Sequence, residues 1–393
     1  MAAEYVATES EAVKTRKVGF VKLNIGMALS ATAIAALTLT ACGSDNNAGT
    51  SAGSGSETGS ASAADCGGKN SITAEGSTAQ QNAIALFNQV WSQKCQGKNL
   101  SYNPTGSGAG REQFVAKNVD FAGSDSAIKG DQAQQAAERC GGNPVWNLPL
   151  VFGPIAMAYN VEGVDGLVLN GDVLAKIFQG QVTKWNDPAI TALNAGKTLP
   201  DTAITPIFRS DSSGTTDNFQ KYLGAASGGV WTKGDGSEFQ GGAGEGAQKS
   251  AGVAQAVQAT PGAIGYVEKG FADQAGIPYA QIDNGSGAVE LTDESAGKAI
   301  DAAKFAAEGN DLTLDLASLY GTSEAGAYPL VLATYEIVCS NGYDADTAAA
   351  VKSFLTVAAN DGQQGLSSAG YVPLPEKFKE RLLTSIEAIG PAS

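Results

Sequence analysis

The sequence predicts an α/β protein of two lobes, each a doubly wound sheet, joined by two hinge strands. Three observations carry this expectation. A strand–loop–helix rhythm repeats along the chain, the pattern of parallel sheets covered by helices. The two longest β-rich runs, Pro149–Asn160 and Tyr328–Val338, bracket a self-contained α/β segment. Residues 42–393 form the expected mature chain, 352 of the 393 residues, and that length favours two lobes over a single core. Lobe one is therefore expected from both ends, 66–158 and 333–393, and lobe two from the middle, 159–332.

The elements follow in order. Asn70–Ala74 is strand-like, and Gly76-Ser-Thr-Ala79 then opens a helix with Ala83, Leu86, Phe87 and Val90 at helical spacing. Leu100–Asn103 is a short strand before the helix opened by Gly106-Ser-Gly-Ala-Gly110. Asp120–Gly123 is another short strand, closed by Ser124-Asp125. The middle segment holds a helical region at Leu167–Gly180. It also holds the apolar run Ile204–Phe208, which leads through Arg209-Ser-Asp-Ser-Ser-Gly-Thr-Thr216 into a helix with Phe219, Tyr222 and Leu223 on one face. The glycine-rich stretch Gly241–Gly246 is expected as a mobile surface loop. Helices return at about 345–359 and 376–389.

The first 41 residues read as a leader. Lys14, Arg16, Lys17 and Lys22 precede an apolar, small-residue stretch too short for a membrane span, and the stretch ends in Leu39-Thr40-Ala41-Cys42. That ending resembles the bacterial lipobox, in which the cysteine is lipidated. Residues 42–65, nearly all Gly, Ser, Ala, Thr and Asn, are expected to tether the folded part to its anchor.

The chain carries 25 basic and 40 acidic residues and no histidine. Removing a leader with four basic and three acidic residues leaves 21 against 37, a net charge of −16. So acidic a chain is a poor partner for nucleic acid. Any anionic ligand must be held by close, aimed donors that outweigh the distant, salt-screened charge. The lack of histidine removes Ser-His-Asp and Cys-His catalysis and imidazole metal sites. Apart from Cys42 there are four cysteines, for which export makes two disulfides plausible. Cys66 lies before the first strand and Cys95 after the first helix. Cys140 precedes one long β run and Cys339 follows the other, so antiparallel runs bring them together. The expected pairs are 66–95 and 140–339, with buried free thiols as the alternative.

Four short segments share one design, small and hydroxyl residues where a strand meets a helix N-terminus. They are Gly76-Ser77-Thr78-Ala79, Thr105-Gly106-Ser107-Gly108, Ser124-Asp125, and Arg209 with Ser213-Gly214-Thr215. Each alone reads as ordinary capping, worth about 1 kcal/mol. Together they suggest a shared crevice, because strand C-terminal ends of α/β sheets face one. Backbone N–H groups and the helix dipole favour an anion there, and Arg209 offers a two-pronged donor. Asp211 is placed to orient that guanidinium, a role compatible with a turn or cap. Asp125 repels a fully ionised oxyanion but suits one that still carries a proton. A buried acceptor facing sulfate is disfavoured by on the order of several kcal/mol.

These motifs resemble the substrate-binding protein of phosphate-specific ABC importers, in its lipid-anchored form. The resemblance covers roughly 66–390. It rests on the segments above together with Pro261-Gly-Ala-Ile-Gly-Tyr266, and with Leu174-Ala-Lys-Ile-Phe-Gln-Gly180 and Trp185-Asn-Asp-Pro188. It implies a type II periplasmic-binding-protein fold with inorganic phosphate buried between the lobes. By motif position Thr78 donates its hydroxyl, Ala79 its N–H, and Ser107 its hydroxyl. Asp125 accepts the phosphate proton, Arg209 bridges from lobe two, and Ser213, Gly214 and Thr215 add donors. Ala79 departs from the bulkier aromatic familiar in relatives.

The resemblance further implies a monomer that uses no cofactor or metal and breaks no bond. It would sit on the outer face of the membrane and deliver phosphate to permease and ATPase subunits. Alternatives are a binder of another oxyanion, a sensor or surface lipoprotein not coupled to transport, and a phosphate-ester hydrolase. The last would need a nucleophile with a base, or a metal cage.

Overall fold

The computed structural model of the protein describes residues 65–306 and 308–392. The expected leader 1–41, Cys42 and the expected tether up to residue 64 lie outside the described residues. The main sheet has eight strands: β1 (Ser71–Gly76), β2 (Asn99–Pro104), β3 (Phe121–Ser124), β4 (Val145–Tyr159), β5 (Thr205–Arg209), β6 (Glu245–Ala247), β7 (Ala263–Glu268) and β8 (Val331–Cys339). Their order is β2-β1-β3-β8-β4-β7-β5-β6. At one end β2, β1 and β3 are parallel, and at the other β7, β5 and β6 are parallel. The antiparallel strands β8 and β4 lie between these sets.

Strand β4 explains how one sheet serves two lobes. Residues Val145–Pro154 pair with β8, and Ile155–Tyr159 pair with β7. From Asn147 to Tyr159 every residue is buried, so the sequence reads as a continuous apolar run rather than an alternating one. Proline is normally excluded from central strands because it cannot donate to the ladder. The two prolines here stand where the ladder is already broken. Pro154 is the last residue paired with β8, and Pro149 lies beside the register shift at Thr334/Tyr335.

Lobe one carries helices α1 (Gln81–Lys94) and α2 (Ser107–Val115). Lobe two carries α3 (Gly214–Ala226) and α4 (Lys249–Ala259), and the chain returns to lobe one with α5 (Ala345–Asn360) and α6 (Glu376–Glu387). In lobe one Trp91, Phe121 and Phe354 pack with ring centroids 5.4 and 5.7 Å apart. In lobe two Phe219 of α3 stacks on Tyr266 of β7 at 4.4 Å. That stack seats the first turns of α3 against the sheet, as the expected Phe219, Tyr222, Leu223 face requires.

Three local expectations change. The first helix begins at Gln81, not in the Gly76–Ala79 segment. Gly76 holds φ at 146°, and the Ser77 hydroxyl accepts the Ala79 N–H at 3.0 Å, which makes a turn there instead. The Leu167–Gly180 region is a strand, Val168–Asn170, followed by a helix, Gly171–Phe178. The glycine-rich stretch is not all loop, since Glu245–Ala247 pairs with Ile207–Arg209 as the edge strand. Residues 311–314, read as lobe two, bond to β4 and β8. Asn147 N donates to Asp311 at 2.9 Å, and Leu314 N to the Tyr335 hydroxyl at 3.2 Å.

The structure joins Cys66 to Cys95 and Cys140 to Cys339. The second bridge spans 199 residues of sequence and ties the end of β8 to the segment before β4. A cross-link over so long a loop removes much denatured-state entropy. Replacing Cys140 and Cys339 together by serine is expected to lower the unfolding free energy by roughly 2–5 kcal/mol, read by denaturant titration.

Candidate anion site between the lobes

The four segments picked out by residue type converge where the lobes meet. From lobe one come the turn after β1, the N-terminus of α2 and the residues after β3. From lobe two come the end of β5, the N-terminus of α3 and the start of α4. The approach is close enough for backbone bonding, with Gly108 N donating to Ser212 O at 3.1 Å. A side chain at Gly214 would stand 2.6 Å from the Asp125 Cβ and 2.6 Å from the Ser107 hydroxyl. Gly214 therefore admits the opposite lobe as well as opening α3.

Arg209 ends β5 and is 3% exposed. Its Nε donates to Asp211 Oδ1 at 2.8 Å and its Nη2 pairs with Asp211 Oδ2. Its Nη1 faces Thr215 Oγ1 at 3.5 Å and Ser250 Oγ at 3.4 Å. Burial opposes the guanidinium charge, but the bond and charge of Asp211 outweigh it, so the arginine pKa lies above its ordinary value. Asp211 thus fixes the fork and leaves one prong for a ligand. Asp211 also accepts the Lys249 N–H at 2.9 Å, where Lys249 holds a left-handed φ of 63°. This strained turn delivers Ser250 to the cleft.

Asp125 is 2% exposed. The Ser77 hydroxyl donates to its Oδ1 at 2.6 Å and Oδ2 at 2.7 Å, Thr334 to Oδ1 at 2.7 Å, and Ser107 to Oδ2 at 3.1 Å. Burial raises its pKa from 3.8 to about 6. The bonds from Ser77 and Thr334 oppose the rise, the charge of Glu268 adds to it, and the Ser107 bond opposes it. Its proton affinity exceeds that of an unfolded aspartate. The group therefore contributes stability below pH 3.8, lost as pH rises through about 6.

Of the proposed ligand residues, Thr78, Ser107, Asp125 and Gly214 approach the opposite lobe directly. Thr78 Oγ1 and Ser250 Oγ are 2.8 Å apart across the cleft. Thr215 Oγ1 donates to Glu268 Oε1 at 2.6 Å. Ser213 caps α3, accepting from Thr216 N at 3.2 Å. Ala79 N–H is turned onto Ser77, and Ser213 Oγ onto its own helix, so in this arrangement neither faces across the cleft.

Five residues that the sequence reading assigned no role take part: Ser77, Asn218, Ser250, Glu268 and Thr334. Ser77 and Asn218 adjoin segments already singled out. Asn218 Nδ2 donates to the Asp125 carbonyl at 2.7 Å. Ser250, Glu268 and Thr334 had no local signal, since strand pairing and the Lys249 turn bring them in. Among the described residues no group of three or more acidic or cysteine side chains is placed to hold a metal ion. No described helix is long and apolar enough to cross a membrane.

Comparison with known proteins gives the family and the fold. The model of the PBP superfamily domain matches residues 46–361. The chain is 50% identical to phosphate-binding protein PstS3 of Mycobacterium bovis, covering 94% of this chain and all of that one. It belongs to the PstS family of phosphate-binding proteins. Another relative is PstS 2 of Mycobacterium tuberculosis, 48% identical over 93% of this chain and 98% of its own. Solved structures give the fold. A high-affinity periplasmic phosphate-binding protein bound with phosphate matches with a TM-score of 0.63 at 22% identity, over 80% of this chain and 93% of that one. The phosphate-binding protein of Stenotrophomonas maltophilia matches with a TM-score of 0.62 at 19% identity, over 80% and 94%. This PstS-family chain thus has the two-lobe periplasmic-binding-protein fold expected from its sequence.

Proposed function

We propose that this protein captures inorganic phosphate between its lobes and delivers it to an ABC importer. The observation that carries this is the pairing of Arg209, held by Asp211, with the buried acceptor Asp125 across one cleft. A guanidinium and helix N-termini suit any small oxyanion. A buried carboxylate among them suits only one that can donate a proton, which phosphate does and sulfate at neutral pH does not. Thr78, Ala79, Ser107, Asp125, Arg209, Ser213, Gly214 and Thr215 are the proposed ligand set. Ala79 and Ser213 reach the ion by releasing their present bonds.

Lobe one is 66–158 with 333–393 and lobe two is 159–332, and β4, which changes partner at Pro154/Ile155, is one of the two strands that cross between them. Closure then buries the ion, and ligand favours the closed state by binding it better. Lipidation at Cys42 and the tether 42–65 would hold the protein on the outer face of the membrane as a monomer beside its permease and ATPase. No bond is broken. The donor set has no histidine base and no metal cage, which disfavours the hydrolase reading.

Calorimetry with phosphate and sulfate near neutral pH tests the reading. Phosphate is expected to bind and sulfate to give no heat. Equal binding of the two would overturn the specificity argument. Gly214→Ala is expected to lower phosphate affinity at least about tenfold in the same titration, since tight core-like contacts tolerate added atoms poorly. Small-angle scattering of that variant should show the lobes held apart in the presence of phosphate.

A further inference from the structure

Glu268 ends β7 and is 1% exposed. Its Oε1 stands 2.6 Å from Thr215 Oγ1, and its Oε2 is buried without a hydrogen-bond partner. The charged and titratable groups that face it are Arg209 from β5, Asp125 after β3, and Tyr371 from the segment before α6. Around the cleft stand three carboxyl groups, Asp125, Asp211 and Glu268, with Arg209 on the side of Asp211 and Arg111 of α2, bonded to Ser124, on the side of Asp125.

A hydroxyl has one proton to give. As the structure stands, Thr215 gives it to Glu268, and only lone pairs remain for the cleft. In the proposed phosphate complex, on which this inference rests, Thr215 donates to the ion instead. The 2.6 Å contact then needs a proton from the other side. Two carboxylate oxygens with no shared proton would also add to the anion already facing Asp125.

We propose that phosphate binding fixes one proton on Glu268, which then donates to Thr215 and turns the threonine hydroxyl towards the ion. Glu268 is thus a positioning residue that makes binding proton-coupled. The unpartnered Oε2 fits this arrangement. In the neutral acid it is a carbonyl oxygen, far cheaper to leave unpaired in a buried place than a charged one. Glu336 is also fully buried: burial pushes its pKa well above the usual carboxyl range against the bond from Gln80, and the charge of Asp125 adds to the rise.

The test is calorimetry at pH 8.5 in buffers of different ionisation enthalpy, where free phosphate is almost wholly the monohydrogen form. The wild-type protein is expected to take up close to one proton per phosphate. Its affinity should fall about tenfold per pH unit above that pH, the slope of one linked proton. Glu268→Gln supplies a permanent donor to Thr215, so both the uptake and the slope should vanish. Phosphate binding by the wild type with no uptake, or uptake unchanged in Glu268→Gln, overturns the inference and leaves the phosphate reading standing. No phosphate binding by the wild type overturns both. If Glu268→Gln does not fold, Glu268→Ala stands in for it, and uptake unchanged there overturns the inference.

Discussion

Replacing Arg209 by alanine is expected to weaken phosphate binding by about a hundred- to a thousandfold. The estimate follows from the location of the charge. Removing one partner of a buried, hydrogen-bonded charge pair costs about 2–5 kcal/mol, and each 1.4 kcal/mol is about tenfold in affinity. Arg209 is 3% exposed, so water cannot take the place of its donors. The change also strands Asp211, whose two oxygens both lean on the guanidinium, and adds an unneutralised charge beside the anion. Lysine should restore at most a small part of the loss. A single ammonium cannot hold both Asp211 oxygens and still reach towards Thr215 and Ser250. Titration calorimetry of the alanine and lysine variants checks this. An alanine variant within about threefold of wild type would show that Arg209 does not touch the ion.

Asp125→Asn is expected to open the site to sulfate. In the wild type a carboxylate sits 2% exposed with Ser77, Ser107 and Thr334 donating to it. A ligand with no proton meets repulsion and an acceptor it cannot satisfy, worth on the order of several kcal/mol, or about a thousandfold. The asparagine amide can donate instead, so sulfate should come within about tenfold of phosphate. The wild type offers a control without mutation. Its Asp125 pKa is raised to about 6, so the carboxyl gains a proton as pH falls through that value and becomes a donor. Sulfate binding by the wild type should therefore strengthen between pH 8 and pH 5, while the asparagine variant keeps a flat sulfate profile. A flat wild-type profile would mean that Asp125 does not set the choice of anion.

Both predictions start from residues legible in the sequence, because Arg209 and Asp125 sit in short local motifs. Strand, turn and helix cap lie within a few residues of each other there, and glycine and hydroxyl residues mark the turn. The same local logic pointed to the disulfides, since each cysteine flanks an element whose neighbour could be named. It failed at Gly76–Ala79, where a helix start was expected. The Ser77 side chain competes for the backbone and also serves Asp125, a partner 48 residues away. It failed again at Glu245–Ala247, whose strand pairing depends on β5 rather than on its own glycine-rich composition.

The sequence by itself determined the two-lobe α/β class, the long strands between the lobes and the short motifs that carry Arg209 and Asp125, because apolar periodicity and turn chemistry are properties of neighbouring residues. Only the tertiary structure decided which side chains surround those motifs. Thr334 reaches Asp125 from across 209 residues, Thr78 meets Ser250 across 172, and Glu268 meets Thr215 across 53. Such contacts depend on strand order and on closure of one lobe upon the other, and no local pattern encodes either. The direction in which a buried hydroxyl gives its single proton is likewise set by partners distant in sequence.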